Sequence, residues 1–252
     1  MSKVIAIANQ KGGVGKTTTA VNLSASLAYL ENKVLLIDID PQGNTTSGMG
    51  IEKNKVQNCI YDVLINEFSM DKVIQDSVYK NLQVVPASIQ LAGAEVELVM
   101  MISREIKLKE ALQRTRKKYD IVVIDCPPSL GLLTLNALTA ADGVLIPIQS
   151  EYYALEGLGQ LMNTINLVKK HLNTELTIEG VVLTMYDART NLSAQVAEEV
   201  KNYFNELVYN NVIPRNVRLS EAPSHGKPIL DYDPNSKGSE VYLELAREVM
   251  NK

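Results

Sequence analysis

A glycine-rich stretch near the amino terminus constrains this chain more than any other feature. Its sequence is Lys11-Gly12-Gly13-Val14-Gly15-Lys16-Thr17-Thr18. An apolar run, Val4–Ala8, precedes the stretch, and a run compatible with a helix, Ala20–Leu30, follows it. A strand, a glycine loop and a helix in this order direct backbone N–H groups and the positive end of the helix dipole at an anion. Because glycine has no Cβ, the backbone can approach that anion closely. The stretch therefore predicts a phosphate-binding loop.

The polar side chains of the loop indicate which phosphate-bearing ligand it binds. Lys16 can reach the β- and γ-phosphate oxygens of a nucleoside triphosphate, and the hydroxyl of Thr17 is placed to ligate Mg²⁺. The usual pattern, G-x-x-x-x-G-K-[ST], requires a glycine at position 10, where this chain has Gln10. A second lysine, Lys11, stands at the beginning of the loop instead.

Two other structures could produce this glycine pattern. A dinucleotide fingerprint would begin at Gly13, with Asp38 near the spacing of a ribose-binding acid. It would have Thr18 at its third glycine position, and it leaves the Lys16-Thr17 pair unexplained. An ordinary glycine-rich turn would need neither lysine. Both alternatives account for less of the sequence than a phosphate loop does.

Short runs rich in valine and isoleucine recur along the chain and predict buried parallel strands. They are Val4–Ala8, Val34–Ile37, Ile121–Ile124, Val144–Ile148 and Val181–Leu183, with a further candidate at Leu82–Pro86. Helical stretches separate them, at Thr17–Leu30, Asn58–Asn66, Arg104–Lys117, Gly131–Ala140, Ala154–Lys170, Ser193–Asn205 and Ser239–Met250. Nearly continuous apolar runs are typical of strands that helices cover on both faces.

This alternation predicts a doubly wound α/β fold with a mostly parallel sheet and helices on both faces. In such folds the ligand lies at the carboxyl ends of the strands. We expect one domain over residues 1–252. We also expect the strand that contains Pro147 to end near it, because proline cannot donate a hydrogen bond to a neighbouring strand.

Two of the predicted strands end in acidic residues. Asp38 and Asp40 follow the second strand, so both are expected to point into the crevice beside the phosphate loop. Asp40 is a candidate for positioning an attacking water, and an aspartate before a proline is also a common turn residue. Asp125 follows Ile121–Ile124 and can hold Mg²⁺, which keeps several of its water ligands in proteins.

The composition excludes several functional classes. The 252 residues carry a net charge of −4, so any binding of nucleic acid must come from a local patch. The two cysteines do not make a disulfide framework, which fits a reducing cytosol, and two histidines leave little material for a histidine metal site or a catalytic triad. With no leader sequence and no apolar run near about 18 residues, neither a signal peptide nor a membrane span is expected.

The motifs of the chain resemble those of one protein superfamily. The loop sequence K-G-G-V-G-K-T-T resembles the deviant Walker A motif of the ParA, MinD and nitrogenase iron protein superfamily. The run Asp125–Ser129, D-C-P-P-S, is similar to the switch II loop of ParA proteins. The tract Val212–Pro228, which we expect to be a long loop, resembles the tract I-P-R-N-x-x-x-S-E-A-P-x-x-G-x-P of chromosomal ParA proteins. The runs Tyr152–Leu158 and Thr184–Asn191 add to a resemblance that covers essentially the whole chain.

The resemblance implies how the nucleotide is bound. In this family the loop residues Gly12–Thr18 bind ATP, and Thr17 and Asp125 bind its Mg²⁺. Lys11 matches a lysine that crosses a dimer interface and contacts the nucleotide in the partner subunit. Pro214 and Asn216 match positions that line the adenine pocket.

The resemblance also implies a DNA surface. Arg189 and Arg218 match basic residues that bind non-specific DNA in the nucleotide-bound dimer. Arginine suits phosphate oxygens, although a solvated surface charge is the more common role of a single arginine. The implied function is an ATP-dependent partitioning ATPase of the cytoplasm, associated with the nucleoid. Its ATP-bound homodimer binds double-stranded DNA, and a ParB-type partner stimulates the hydrolysis that releases it.

Two functions from other classes compete with this one. A membrane-associated division regulator such as MinD would carry a basic amphipathic tail, whereas the last predicted helix, Ser239–Met250, is mixed and rather acidic. An iron–sulfur reductase would hold its cluster with paired cysteines from two subunits. Cys126 follows Asp125 directly and Cys59 lies in no matching motif, so the sequence favours a buried apolar role for Cys126.

Overall fold

The computed structural model describes residues 2–151 and 158–252. Its centre is a seven-stranded sheet with the strand order β3-β4-β2-β5-β1-β6-β7. The strands are β1 Lys3–Ile7, β2 Val34–Asp38, β3 Gln75–Asp76, β4 Leu82–Val85, β5 Ile121–Asp125, β6 Gly143–Gln149 and β7 Thr177–Thr184. Every pair is parallel except β3–β4, which is antiparallel at the edge. The predicted α/β class and all six predicted strands are confirmed, with ends that shift by one to four residues.

Helices cover both faces of this sheet. They are α1 Lys16–Tyr29, α2 Asn44–Gly48, α3 Ile60–Leu64, α4 Leu91–Glu97, α5 Lys107–Thr115, α6 Leu132–Ala140, α7 Leu158–His171, α8 Asn191–Phe204, α9 Val217–Glu221, α10 Ile229–Tyr232 and α11 Lys237–Met250. Alternate residues of each strand enter different apolar clusters. In β1, Val4 and Ala6 pack into one cluster, whereas Ile5 and Ile7 pack into the other. Burial on both faces explains why the strands are apolar without alternation.

The last helix is part of the core, as predicted. α11 packs against α1 on one face of the sheet, and its Val241, Leu245 and Val249 are buried there. Burying one such side chain stabilises the fold by about 1.5–3 kcal/mol. No helix within the described residues is long and apolar enough to cross a membrane.

The strand order separates the fold from a dinucleotide-binding domain. In the latter, the second strand lies next to the first, which places an acid at its end beside the glycine loop. Here β5 lies between β1 and β2, and the register pairs Asp38 with Asp125. Asp38, at the end of β2, therefore lies beside Asp125 and not beside the glycine loop.

The strand that contains Pro147 ends near it, as predicted, two residues further along at Gln149. β6 continues to Gln149 because Pro147 lies beyond the part of β6 that pairs with β1, which stops at Leu145. On that side the carbonyl of Pro147 accepts a hydrogen bond from Asn9 Nδ2 at 2.7 Å. The missing N–H therefore removes no bond of the sheet.

Two segments differ from the sequence prediction. The tract 212–228, expected to be a loop, contains α9 and a 3₁₀ turn at Ala222–His225. The helix expected over Arg104–Lys117 begins only at Lys107 and ends in a 3₁₀ turn, Arg116–Lys118. The first part of the helix predicted over Ala154–Lys170, and most of the motif at Tyr152–Leu158, lie outside the described residues.

Candidate functional site

The predicted phosphate loop lies between the end of β1 and the start of α1. Gly13 and Gly15 have φ angles of 74° and 87°, which only glycine adopts without strain. A Cβ at Gly12 or Gly13 would have no atom within 4 Å, so open space lies in front of the loop. α1 begins at Lys16 with no side-chain cap, which leaves its first N–H groups available to an anion.

A cavity of about 320 Å³ opens over this loop. Its lining residues are Gly12, Gly13, Gly15, Lys16, Thr17, Thr18, Asp40, Gln42, Asn44, Pro128 and Met185. Lys16 is buried in it, and its Nζ donates a hydrogen bond to the carbonyl of Lys11 at 3.1 Å. Burial lowers the pKa of Lys16, and the charges of Asp125 and Asp40 oppose that effect. A phosphate oxygen would offer this ammonium a charged acceptor in place of a neutral one.

The buried carboxylate of Asp125 lies beneath the loop and fits a cation. Its Oδ2 accepts hydrogen bonds from the hydroxyls of Thr17 at 2.8 Å and Thr45 at 2.7 Å, whereas its buried Oδ1 has no partner. An unpartnered buried carboxylate oxygen is costly unless a cation or water satisfies it. No group of three or more histidine, cysteine or acidic side chains within the described residues is arranged to hold a metal ion. Two protein ligands and several waters suit Mg²⁺, so the site fits that ion.

Asp40 and Asp38 separate into different environments. Asp40 lines the cavity, as expected of a water-positioning residue, and its Oδ1 also accepts from the backbone N–H of Gln42 at 2.9 Å, the bond of a turn aspartate. Asp38 does not point into the crevice, contrary to the prediction, because it is fully buried. Its Oδ2 accepts from the N–H and the hydroxyl of Thr46, at 2.8 and 2.6 Å.

Thr45 and Thr46 are site residues that the sequence analysis missed. Each hydroxyl donates to a buried aspartate at the end of a strand, and Thr46 Oγ1 also accepts from the N–H of Ala87 at 2.9 Å. Gly43, with φ 61°, makes the turn that brings both threonines to these acids. The only sequence signal was a Pro/Gly turn followed by two adjacent threonines.

The predicted adenine-pocket residues line a second cavity next to the first. It measures about 280 Å³ and includes Pro214 and Asn216, together with Gly15, Thr18 and Met185 from the side of the phosphate loop. The side chain of Asn216 also caps α9 by accepting from Arg218 N at 2.8 Å. The two cavities share three residues, so a ligand could occupy both at once.

The end of β7 joins the two cavities. Thr184 Oγ1 donates to the carbonyl of Val14 at 2.8 Å, which ties this strand to the phosphate loop. Met185 has a φ of 51°, a strained value for a side chain of this type, and it lines both cavities. Tyr186 then pairs with Pro214, so the loops that follow β7 and precede α9 lie side by side.

The two predicted DNA-binding arginines are exposed, Arg189 on the loop after β7 and Arg218 in α9. Arg189 forms an ion pair with Asp187 at 2.7 Å, and Arg218 forms one with Glu221 at 2.9 Å. A third exposed arginine, Arg215, lies between them in sequence and was not singled out by the sequence analysis. The structure thus places the arginines on the part of the molecule that also carries the second cavity.

Lys11 and the two cysteines are the remaining residues that the sequence singled out. Lys11 is half-buried at the start of the loop, where its N–H donates to Asn9 Oδ1 at 3.0 Å. Its ammonium has no carboxylate within 4.0 Å among the described residues, so the side chain is available to a ligand or a partner. Cys126 is buried, as predicted, and Cys59 is buried as well.

The buried acids predict a pH-dependent stability in the absence of metal. Burial, reinforced by the charge of Asp38, raises the pKa of Asp125 to about 7, and burial also raises the pKa of Asp38 to about 6. Between the ordinary aspartate pKa of about 4 and these values, the folded protein binds more protons than the unfolded chain. Its free energy of unfolding therefore falls as the pH rises through this window.

We accordingly expect Asp125→Asn to stabilise the nucleotide-free protein at pH 8, on the order of a few kcal/mol, and much less at pH 5. Urea unfolding in EDTA between pH 5 and 8 measures the difference. Glu199→Gln, which neutralises an exposed carboxylate on α8, should follow the wild-type profile. If the free energies of unfolding of Asp125→Asn and wild type differ by the same amount at all pH values, the raised pKa of Asp125 is contradicted.

Comparisons with known proteins agree with this geometry. The profile of a family described as an AAA domain matches residues 2–178. The chain is 67% identical to the sporulation initiation inhibitor protein Soj of Bacillus subtilis over 249 residues, which cover 99% of this chain and 98% of that protein. It is 56% identical to the chromosome partitioning protein ParA of Myxococcus xanthus, covering 100% of this chain and 89% of that protein.

A solved structure confirms the fold. The crystal structure of a protein named cobyrinic acid a,c-diamide synthase, from Mycobacterium smegmatis, contains ADP and magnesium. It superposes with a TM-score of 0.88 at 38% sequence identity and covers 100% of this chain and 95% of that chain.

Proposed function

This chain belongs to the Soj/ParA family of chromosome-partitioning ATPases, and on that premise we propose that it is a Mg²⁺-dependent ATPase whose ATP-bound homodimer binds DNA without sequence specificity. Hydrolysis returns it to a form that leaves DNA, and a ParB-type centromere-binding protein stimulates that step. The cycle serves the segregation of a chromosome or plasmid on the nucleoid, in the cytoplasm. One domain, residues 1–252, carries the whole activity.

The adjoining cavities carry the nucleotide part of this proposal. The loop Gly12–Thr18 offers N–H groups, a buried lysine and the start of α1 to the phosphates. The second cavity, with Pro214 and Asn216, takes the base. A related protein binds ADP and magnesium in the same fold, which supports the identity of the ligand.

Thr17 and Asp125 are the residues that hold Mg²⁺. Bound there, the ion neutralises negative charge on the phosphate oxygens. The Asp125 oxygen that has no partner in the structure is available to it directly or through water. Asp38 holds Thr46 in place by accepting a hydrogen bond from its hydroxyl. This also positions the neighbouring Thr45 after the turn at Gly43, and the hydroxyl of Thr45 orients the carboxylate of Asp125.

Asp40 and the two lysines carry the hydrolysis step. Asp40 lies on the cavity wall, where its carboxylate can orient the attacking water. Lys16 stabilises the charge that develops on the transferred phosphoryl group, and Lys11 of the opposite subunit adds a second cation. A cation supplied across an interface in this way accelerates phosphoryl transfer by about 10³–10⁵-fold in related enzymes.

DNA binding depends on the exposed arginines of two subunits. Arg189 and Arg218 are suited to phosphate oxygens, which carry no base sequence. Two subunits supply about four phosphate contacts, so the logarithm of the affinity should fall with the logarithm of the salt concentration with a slope of roughly −3.6. The net charge of −4 explains why one copy alone would bind weakly.

Co-sedimentation with DNA in the presence of ATP, ADP or no nucleotide tests the proposed function. The protein should sediment with DNA only in ATP, and non-specific fragments of different sequence should perform alike. Binding that is equal in all three conditions, or absent in all three, would refute the proposal.

Reversing the charge of Arg189 provides a direct test of the surface. Arg189→Glu should lose DNA binding at physiological salt and, at low salt, reduce the slope from roughly −3.6 to about −1.8, because two of about four phosphate contacts disappear. Arg218→Glu should behave similarly. Dimerisation in ATP, measured by light scattering, should persist in both variants.

A matched control is Lys109→Glu, which makes the same charge change at an exposed position on α5, away from both cavities. The DNA affinity of Lys109→Glu should lie within about threefold of that of wild type. If Arg189→Glu and Lys109→Glu bind DNA equally well, the arginine surface is not the DNA site.

A further inference from the structure

Each of the three exposed arginines near the second cavity, on the loop after β7 and around the start of α9, is held by a carboxylate of the same chain. The pairs are Arg189 with Asp187 at 2.7 Å, Arg215 with Glu151 at 2.8 Å, and Arg218 with Glu221 at 2.9 Å and Asp233 at 3.5 Å. A DNA phosphate that binds one of these arginines must therefore compete with a carboxylate that is already in place.

Of these arginines, Arg189 forms the most hydrogen bonds with its carboxylate partner. Its Nε donates to Asp187 Oδ1 at 2.9 Å, its Nη2 donates to Oδ2 at 2.7 Å, and its backbone N–H donates to Oδ1 at 3.1 Å. The Asp187 side chain is only 20% exposed, against 87% for Arg189, so the carboxylate is anchored at the base of the loop. These hydrogen bonds hold the pKa of Asp187 at about 2, so the group is ionised at any working pH.

Glu221 is anchored in a similar way. Its Oε2 accepts from Arg218 at 2.9 Å and from the hydroxyl of Tyr232 at 3.1 Å. The ring of Tyr232 stacks on His225, with centroids 5.0 Å apart. The carboxylate is therefore fixed by two elements, and the guanidinium of Arg218 reaches it from α9.

We propose that Asp187 and Glu221 are built-in competitors of DNA phosphate, and that they set the number of arginines that a DNA complex requires. This inference rests on the proposed function. A phosphate that binds Arg189 must displace a bidentate carboxylate, so each arginine contributes less to affinity than an unpaired arginine would. One copy of the chain then binds DNA too weakly to form a stable complex at physiological salt. The dimer has twice as many arginines, and these are enough for a stable complex. The carboxylates thus make DNA binding depend on dimerisation.

The isosteric variant Asp187→Asn tests this role. Asparagine keeps the oxygen that accepts from the N–H of Arg189 but removes the charge that holds the guanidinium. We expect the ATP-bound variant to bind a fluorescent non-specific duplex about threefold to thirtyfold more tightly, since two exposed ion pairs per dimer no longer compete. The slope against salt should stay the same, because the same arginines contact phosphate. In ADP, binding should become measurable at salt concentrations where wild type shows none.

Glu199→Gln is the matched control, because it removes the same charge from the same region. Glu199 is exposed on α8, eight residues after its first residue and roughly 12 Å along the helix axis, and it has no ion-pair partner among the described residues. The DNA affinity of Glu199→Gln should stay within about twofold of that of wild type at physiological salt, where charges more than about 8 Å apart are screened. Glu221→Gln, which tests the second pair, should also bind DNA more tightly than wild type, but by less than Asp187→Asn, because Asp233 still pairs with Arg218 at 3.5 Å.

The outcomes separate this inference from the function on which it rests. If wild type binds DNA in ATP but Asp187→Asn and Glu221→Gln bind no more tightly than Glu199→Gln, the competitor role is refuted and the proposed function stands. Weaker binding by both variants would equally refute it, since it would mean that the carboxylates orient the arginines. If wild type does not bind DNA in ATP, the proposed function itself fails.

Discussion

Replacing Lys16 by alanine is expected to abolish ATP binding at working concentrations, with a loss of roughly 10²- to 10⁴-fold in affinity. The ammonium is buried at the floor of the cavity, and within the described residues its hydrogen-bond partner is the neutral carbonyl of Lys11. A nucleotide would replace this acceptor with charged oxygens of two phosphate groups. Hydrogen bonds to charged groups contribute about 1.5–3 kcal/mol each, and two of them account for the expected loss.

Isothermal titration with ATP and Mg²⁺ measures this loss. Lys109→Ala, which removes an exposed lysine of α5, should bind ATP as wild type does. Lys16→Ala should remain folded, because the burial that lowers the pKa of Lys16 also makes this charge costly to the folded protein. An affinity for ATP within threefold of wild type, in a variant with an unchanged circular dichroism spectrum, would show that the loop does not bind the phosphates.

The sheet could be predicted because its strands are buried on both faces. Val34–Ile37 and Ile121–Ile124 are continuous apolar runs, and the structure shows the whole of β2 and β5 to be buried. Two of the short helices could not be predicted in the same way. α2 and α9 have five residues each, which is too short for a helical repeat of apolar positions, and tertiary contacts and caps determine where they form.

The phosphate loop could be predicted because its residues are contiguous and each has a physical reason for its position. The contacts between distant segments of the site could not, because the topology brings those segments together. Thr45 meets Asp125 across 80 residues of sequence, and only the register of β2 with β5 brings them together. Likewise, the sequence shows that Arg189 is a loop arginine, but not that Asp187 holds it with three hydrogen bonds.

The expected result for Lys11→Ala is a protein that still binds ATP but stays monomeric in its presence. Lys11 begins the loop, and its backbone carbonyl, rather than its side chain, contacts Lys16 within the same copy. Truncating the side chain therefore leaves the local phosphate contacts in place. What the substitution removes is the cation that, in the proposed dimer, one copy would extend towards the nucleotide of the other.

In the proposed function, the γ-phosphate would make this lysine a switch for dimerisation. Its charge would attract Lys11 of the opposite subunit, so loss of that phosphate would remove the attraction and separate the dimer. Lys11→Ala should accordingly lose hydrolysis by about 10³–10⁵-fold and lose DNA binding in ATP as well, although Arg189 and Arg218 are unchanged. Light scattering of the variant in saturating ATP measures the mass directly, and titration with ATP confirms that the nucleotide is bound. Lys109→Ala should form the dimer as wild type does; a dimer of Lys11→Ala in ATP would exclude a role for Lys11 across the interface.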